Sequence, residues 1–113
     1  MEVLKKIVTT LNETKLENLK IYETKNLTPF FDYAVIVTAN SSRQVVSTVD
    51  RLRKTADEAG IKIRGIEGLE GGVWVLIDFY DVIVNIFTYE ERNRYGLDRL
   101  WGMLPQIDEK SLL

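Results

Sequence analysis

The spacing of apolar positions changes several times along the chain, and each change marks an element. Leu4, Ile7, Val8 and Leu11 recur at helical intervals, predicting a first helix over about residues 2–12. Leu19 and Ile21 alternate with Lys20 and Tyr22, so a short extended run occupies residues 18–23, and Pro29 interrupts whatever follows. Residues 33–39, Tyr-Ala-Val-Ile-Val-Thr-Ala, are almost continuously apolar and rich in β-branched side chains, as in a strand buried on both faces.

Ser41 and Gln44 fit a Ser-x-x-Gln capping box, and behind them Val45, Val49, Leu52, Ala56 and Ala59 form one helical stripe that Gly60 stops. A further strand over about 61–66 completes a β-α-β unit, with a right-handed crossover if its strands are parallel. The glycines at 65, 68, 71 and 72 make 67–72 a turn. Two strands, 73–79 and 82–88, follow across Tyr80-Asp81 and should pair as an antiparallel hairpin. Thr88 and Glu91 fit a second capping box, opening a last helix that runs to about Trp101. The predicted order is α-β-β-α-β-β-β-α: one α/β (α+β) domain over residues 1–113, with helices packed on a mixed sheet of about five strands. Tyr95, Leu97, Leu100 and Trp101 are read as the packing side of the last helix, and Glu90, Glu91, Arg92 and Arg94 as its solvated charges.

Composition narrows the chemistry. The 113 residues suffice for one core. Fifteen basic and seventeen acidic residues give a formal charge of −2, without the dense basic footprint that bare nucleic acid requires. The chain has no cysteine and no histidine, which removes disulfides, thiolate chemistry, Cys-type zinc sites and the commonest general base and metal ligand. An enzyme built here would have to work through carboxylates, Lys, Tyr, Ser or Thr. The start, Met1 to Lys6, lacks an apolar signal core, and no segment approaches the roughly 18 apolar residues of a membrane span, so a cytoplasmic protein is expected.

Several blocks, taken together, are specific. Asp32-Tyr33-Ala34-Val35-Ile36-Val37-Thr38 followed by Ser42-Arg43-Gln44, then Glu67-Gly68-Leu69-Glu70-Gly71-Gly72-Val73-Trp74-Val75-Leu76-Ile77-Asp78, resemble the successive signatures of the Iojap family of ribosomal silencing factors. Asp81-Val82-Ile83-Val84, Glu90-Glu91-Arg92 and Tyr95-Gly96-Leu97-Asp98-Arg99-Leu100-Trp101 resemble its closing blocks, so the likeness spans about residues 4–101 and leaves 102–113 as an unmatched tail. Three positions depart from the pattern: Asn85 stands where the family usually has His, Tyr89 where it has Pro, and Tyr80 at a turn position commonly held by Gly. The resemblance implies a fold similar to a minimal nucleotidyltransferase core without its catalytic apparatus, and no cofactor. It also implies binding to the large ribosomal subunit through large-subunit ribosomal protein fourteen. Steric blocking of subunit association and repression of translation under nutrient limitation would follow.

Three features compete as sites. Asp78 and Asp81 are the most enzyme-like pair, and a nucleotidyltransferase-like enzyme using them is the alternative reading. Metal-holding carboxylates in such enzymes sit one residue apart on a strand face, however, whereas these are three apart across a turn. The Gly-Ser turn expected ahead of them is missing, so Asp78 reads as a surface acid and Asp81 as a turn former. Gly68-Leu69-Glu70-Gly71 lacks the spacing and the following helix of a phosphate loop.

Trp74 is the third. Strand alternation puts Trp74, Leu76 and Asp78 on one face with Ile83, Asn85 and Phe87 beside them, and the polar members Asp78 and Asn85 mark that face as the less deeply buried one. The pattern leaves open whether a helix covers Trp74 or a partner does; the resemblance favours a partner, with Trp74 and Leu76 as anchors and Glu67, Glu70 and Asp78 as an acidic rim toward a basic ribosomal protein. The same patch could instead join two copies in a homodimer. Arg43, in the first turn of its helix, is expected to pair with Asp32 or Asp50, or to meet a partner.

Overall fold

Side-chain alternation across paired strands sorts the chain into two layers. The computed structural model describes residues 2–113. Its elements are α1 (Glu2–Leu11), β1 (Glu17–Glu23), β2 (Tyr33–Ala39), α2 (Ser42–Ala59), β3 (Gly65–Glu67), β4 (Trp74–Asp78), β5 (Val82–Thr88), α3 (Tyr89–Tyr95) and α4 (Leu97–Leu100), followed by a 3₁₀ turn at Glu109–Leu112. The strands form one five-stranded sheet in the order β1-β2-β5-β4-β3. β2 and β5 run parallel and the other neighbours antiparallel, so the expected mixed α+β fold is observed.

β2 and β3, joined by α2, do run in the same direction, but β5 and β4 lie between them. The β-α-β unit is therefore a wide crossover whose gap the later hairpin fills. One register row, Ile21–Val35–Val84–Ile77–Ile66, is apolar from edge to edge and faces α1 and α2. Leu4, Ile7, Val8 and Leu11 of α1 and Val45, Val49, Leu52 and Ala56 of α2 close that face, and all are buried. Burying a Val, Leu or Ile stabilises by about 1.5–3 kcal/mol each, so this layer carries much of the folding free energy.

The α2 cap forms much as its residues imply. Ser41 Oγ accepts from Gln44 N at 3.1 Å, while Gln44 Oε1 accepts from Asn40 N at 2.7 Å, one residue earlier than in the usual box. Gly60 caps the other end.

Five expectations are corrected. The strand foreseen over 61–66 shrinks to Gly65–Glu67, because Ile61 and Ile63 turn inward to the core before the edge strand begins. Thr88 makes no side-chain cap bond, and the last helix breaks at Gly96, whose φ of 66° suits a residue without a Cβ. Beyond the break Leu100 is exposed rather than packed, while Leu97 and Trp101 pack inward as expected. Arg92, read as a solvated charge, is 6% exposed.

The tail has a defined course. Glu23 N donates to Pro105 O at 2.8 Å, and Ile107 N donates to Ile21 O at 2.9 Å, so residues 105–107 lie along the outer edge of β1. Leu104 packs on one side of the sheet, and Ile107 and Leu112 on the other.

Candidate partner-docking face

The second sheet face is built from the alternate register rows. Lys20–Ile36–Asn85–Leu76–Glu67 forms one, and Tyr22–Ala34–Ile83–Asp78–Gly65 the next. Where α1 and α2 seal the first face, this one is covered over β1, β2 and β5. Leu97, Trp101 and Leu104, with Phe31, pack over Tyr22, Ala34, Ile36 and Phe87. Toward β4 and β3 the cover stops, leaving Leu76 and Asp78 half-buried and Glu67 exposed.

Trp74 sits at the boundary of that cover. It is half-buried, its ring stacked on Phe87 at 4.9 Å and 23° and flanked by Tyr95 at 4.3 Å and 50°. Tyr95 is itself 51% exposed, so the aromatic group opens to solvent. Tyr95 of α3, Phe87 and Asn85 thus cover part of the ring and leave the remainder to solvent. Trp74 Nε1 donates to Asn85 Oδ1 at 3.0 Å.

Asn85 contradicts its assigned place at the surface. It is 1% exposed, with Ile83 at 7% and Phe87 fully buried on either side, because Trp74 and the α4 segment roof this part of the sheet. Its Nδ2 has no hydrogen-bond partner among the described residues. The amide cannot be turned over to help, since the indole offers a donor and needs the carbonyl oxygen facing it. Such an orphan group costs about 1–3 kcal/mol.

The acidic rim is smaller than the sequence implied. Asp78 Oδ2 receives Arg64 Nε at 2.9 Å, and its Oδ1 accepts from Tyr80 N at 2.8 Å. Asp78 therefore closes the β4–β5 turn, in which Tyr80 has a φ of 73°. Glu67 and Glu70 are exposed and enter no ion pair among the described residues. Asp81 is exposed on the far side of the same turn, its main-chain oxygen accepting from Asp32 N and Tyr33 N at 2.8 and 3.1 Å. The turn at 67–72 serves packing: a Cβ on Gly68 would lie 2.0 Å from the carbonyl oxygen of Trp74. Glycine thus lets this loop lie against the first residue of β4. Arg43 is exposed and pairs with neither Asp32 nor Asp50 among the described residues.

Beside this face lies a polar cluster that sequence reasoning missed. Arg92 Nε and Nη2 donate to the two carboxylate oxygens of Asp98, and its Nη1 donates to Thr38 Oγ1 at 2.9 Å and to the Asn18 carbonyl. Tyr22 Oη donates to Asp98 Oδ1 at 2.7 Å. Burial works to raise the Asp98 carboxyl, but the bonds from Arg92 and Tyr22 and the guanidinium charge outweigh it and hold the group below the ordinary aspartate value. Burial, then the Asp98 bond and charge, push the Tyr22 phenol up. The one signal in the sequence was Gly96 between Arg92 and Asp98, since a break there is what lets them meet.

Fold and face together define a small α+β protein with one sheet face sealed by helices and the other left open around an aromatic cluster. The chain belongs to the family described as ribosomal silencing factor during starvation, which matches residues 1–113. It is 35% identical over 112 residues to the ribosomal silencing factor RsfS of Halalkalibacterium halodurans, covering 99% of this chain and 96% of that one. A crystal structure of a Chromobacterium violaceum protein superposes with a TM-score of 0.86 at 34% identity, over 89% of this chain and 84% of that one. A second, from Bacillus halodurans, gives 0.84 at 36% identity, over 95% and 97%. The family is that of a silencing factor rather than of an enzyme. Among the described residues no helix is long and apolar enough to cross a membrane.

Proposed function

We propose that this chain binds the large ribosomal subunit in the cytoplasm and, by occupying it, blocks joining of the small subunit and represses translation when nutrients run short. The partner is large-subunit ribosomal protein fourteen, met by Trp74 and Leu76 with Glu67 and Glu70 at the rim. One observation carries the reading: the sheet face opposite α1 and α2 is left open at β4, where a half-buried Trp74 stands in an aromatic group and the exposed carboxylates of Glu67, paired in register with Leu76, and Glu70 enter no ion pair among the described residues. A large aromatic anchor within an apolar patch, edged by charge complementary to a basic protein, is the usual anatomy of a binding hot spot. Asp78 contributes by shaping the turn, because its charge is already taken by Arg64.

The test is co-sedimentation of the purified protein with separated ribosomal subunits. It should travel with the large subunit, not with the small one, and its addition before mixing should reduce the yield of joined ribosomes. Equal recovery with both subunits, or undiminished joining at saturating protein, contradicts the reading.

A further inference from the structure

Asn85 lies in the middle of an otherwise apolar stretch of sheet, with Ile36 and Leu76 as its cross-strand neighbours. At 1% exposure its amide has been taken out of water, yet half of it goes unused: Oδ1 accepts from Trp74, and Nδ2 has no hydrogen-bond partner among the described residues. A leucine of similar size would remove the unpaired Nδ2 but would leave the Trp74 Nε1–H without its acceptor, so the amide is kept for its bond to the indole rather than for packing. What Asn85 supplies is a constraint. Phe87 and Tyr95 pack on the indole from two directions, and such non-directional contacts leave the ring some freedom to tilt about its side-chain torsions. The bond from Nε1 to Asn85, 3.0 Å long, removes that freedom.

We infer that Asn85 is a positioning residue for the docking face, holding Trp74 in its partner-ready orientation without touching the partner. This rests on the reading that Trp74 docks on the large subunit. A side chain already fixed before contact loses less conformational freedom on binding, so the bond raises affinity for an apolar, basic-rimmed protein surface.

Stability and large-subunit binding are to be measured on the full chain for Asn85→Leu, Trp74→Phe and the double variant, with Trp74→Ala as reference. Asn85→Leu should melt close to the parent, the removal of the unpaired amide donor offsetting the indole's loss of its acceptor, and bind up to about tenfold more weakly. Added to Trp74→Phe, the same change should weaken binding by less than about threefold, since both variants cut one bond. Parent-like binding by Asn85→Leu, with Trp74→Ala impaired, overturns the positioning role and leaves the docking reading standing. Parent-like binding by Trp74→Ala overturns the docking reading and the inference with it. If Asn85→Leu fails to fold, hydrogen exchange of the Trp74 indole Nε1–H in the unsubstituted protein decides, the signal being identified by its loss in Trp74→Phe. Strong protection relative to free indole is expected; exchange at the free-indole rate overturns the inference.

Discussion

The guanidinium of Arg92 grips the carboxylate of Asp98 through two hydrogen bonds, Nε to Oδ2 at 2.8 Å and Nη2 to Oδ1 at 3.1 Å. On an unbroken helix, residues six apart point roughly 120° away from each other and could not meet. The break at Gly96 brings Asp98 round, and the pair then ties α3 and α4 to β1 and β2 through Tyr22, Asn18 and Thr38. Arg92→Ala is expected to lower the unfolding free energy by about 3 kcal/mol, because Asp98 and the Asn18 carbonyl lose their donor in a largely buried setting. Urea denaturation reads this directly. A loss within about 0.5 kcal/mol would mean that Arg92 behaves as an ordinary surface charge.

The same cluster sets an acid sensitivity. A carboxyl held below its unfolded value stabilises the fold above the unfolded pKa, about 3.9 for aspartate, and that contribution disappears as pH falls through the folded value. Asp98 is such a group. The stability gap between the parent and Asp98→Asn should therefore be widest near neutral pH and close on acidification below about pH 4. A gap that stays constant over a pH series of denaturation curves contradicts the assignment.

Trp74→Ala tests the half-covered ring. Because Trp74 is neither free nor fully enclosed, its removal should cost about 2 kcal/mol of stability, less than the 3–5 typical of a buried aromatic. Binding to the large subunit should fall by about thirtyfold or more. Thermal melting and a subunit-binding assay on this variant separate the two effects. Full binding in a well-folded variant would remove Trp74 from the partner surface.

Ending the chain after Gly102 removes the segment that lies along β1, together with Leu104, Ile107 and Leu112. The loss of apolar burial should cost about 3 kcal/mol or more. The bared strand edge should make the shortened protein self-associate with rising concentration. Calorimetry and light scattering check these outcomes; an unchanged melting temperature with an unchanged oligomeric state would show the segment to be dispensable.

The elements whose boundaries were legible are those decided by nearest neighbours. β2 and β5 match their apolar runs residue for residue, and α2 lies between the Ser41 cap and Gly60 as its pattern implies. The candidate face was legible too, because alternation alone puts Trp74, Leu76 and Asp78 on one side of β4. Asn85 was misplaced because a polar side chain was taken as a sign of exposure, whereas its neighbour Trp74 supplies both the cover and a hydrogen bond. Asp78 was assigned to the rim because Arg64, fourteen residues earlier, becomes its neighbour only through the pairing of β3 with β4.

Apart from the short β3 and the break at Gly96, the sequence by itself determined which segments are strands and helices and which side of each is apolar, since backbone geometry, caps and side-chain period are local properties. It also carried the family likeness, which is a pattern of residue types in order. Tertiary structure alone decided the strand order that inserts β5 and β4 between β2 and β3, the burial of Arg92, the path of residues 105–107 along β1, and how far α3 covers Trp74. Each of these depends on which distant groups meet, and on whether a buried charge or amide finds a partner there. Hydrophobic period cannot encode that, because burial drives chain segments together without specifying which polar atoms will face each other once they arrive.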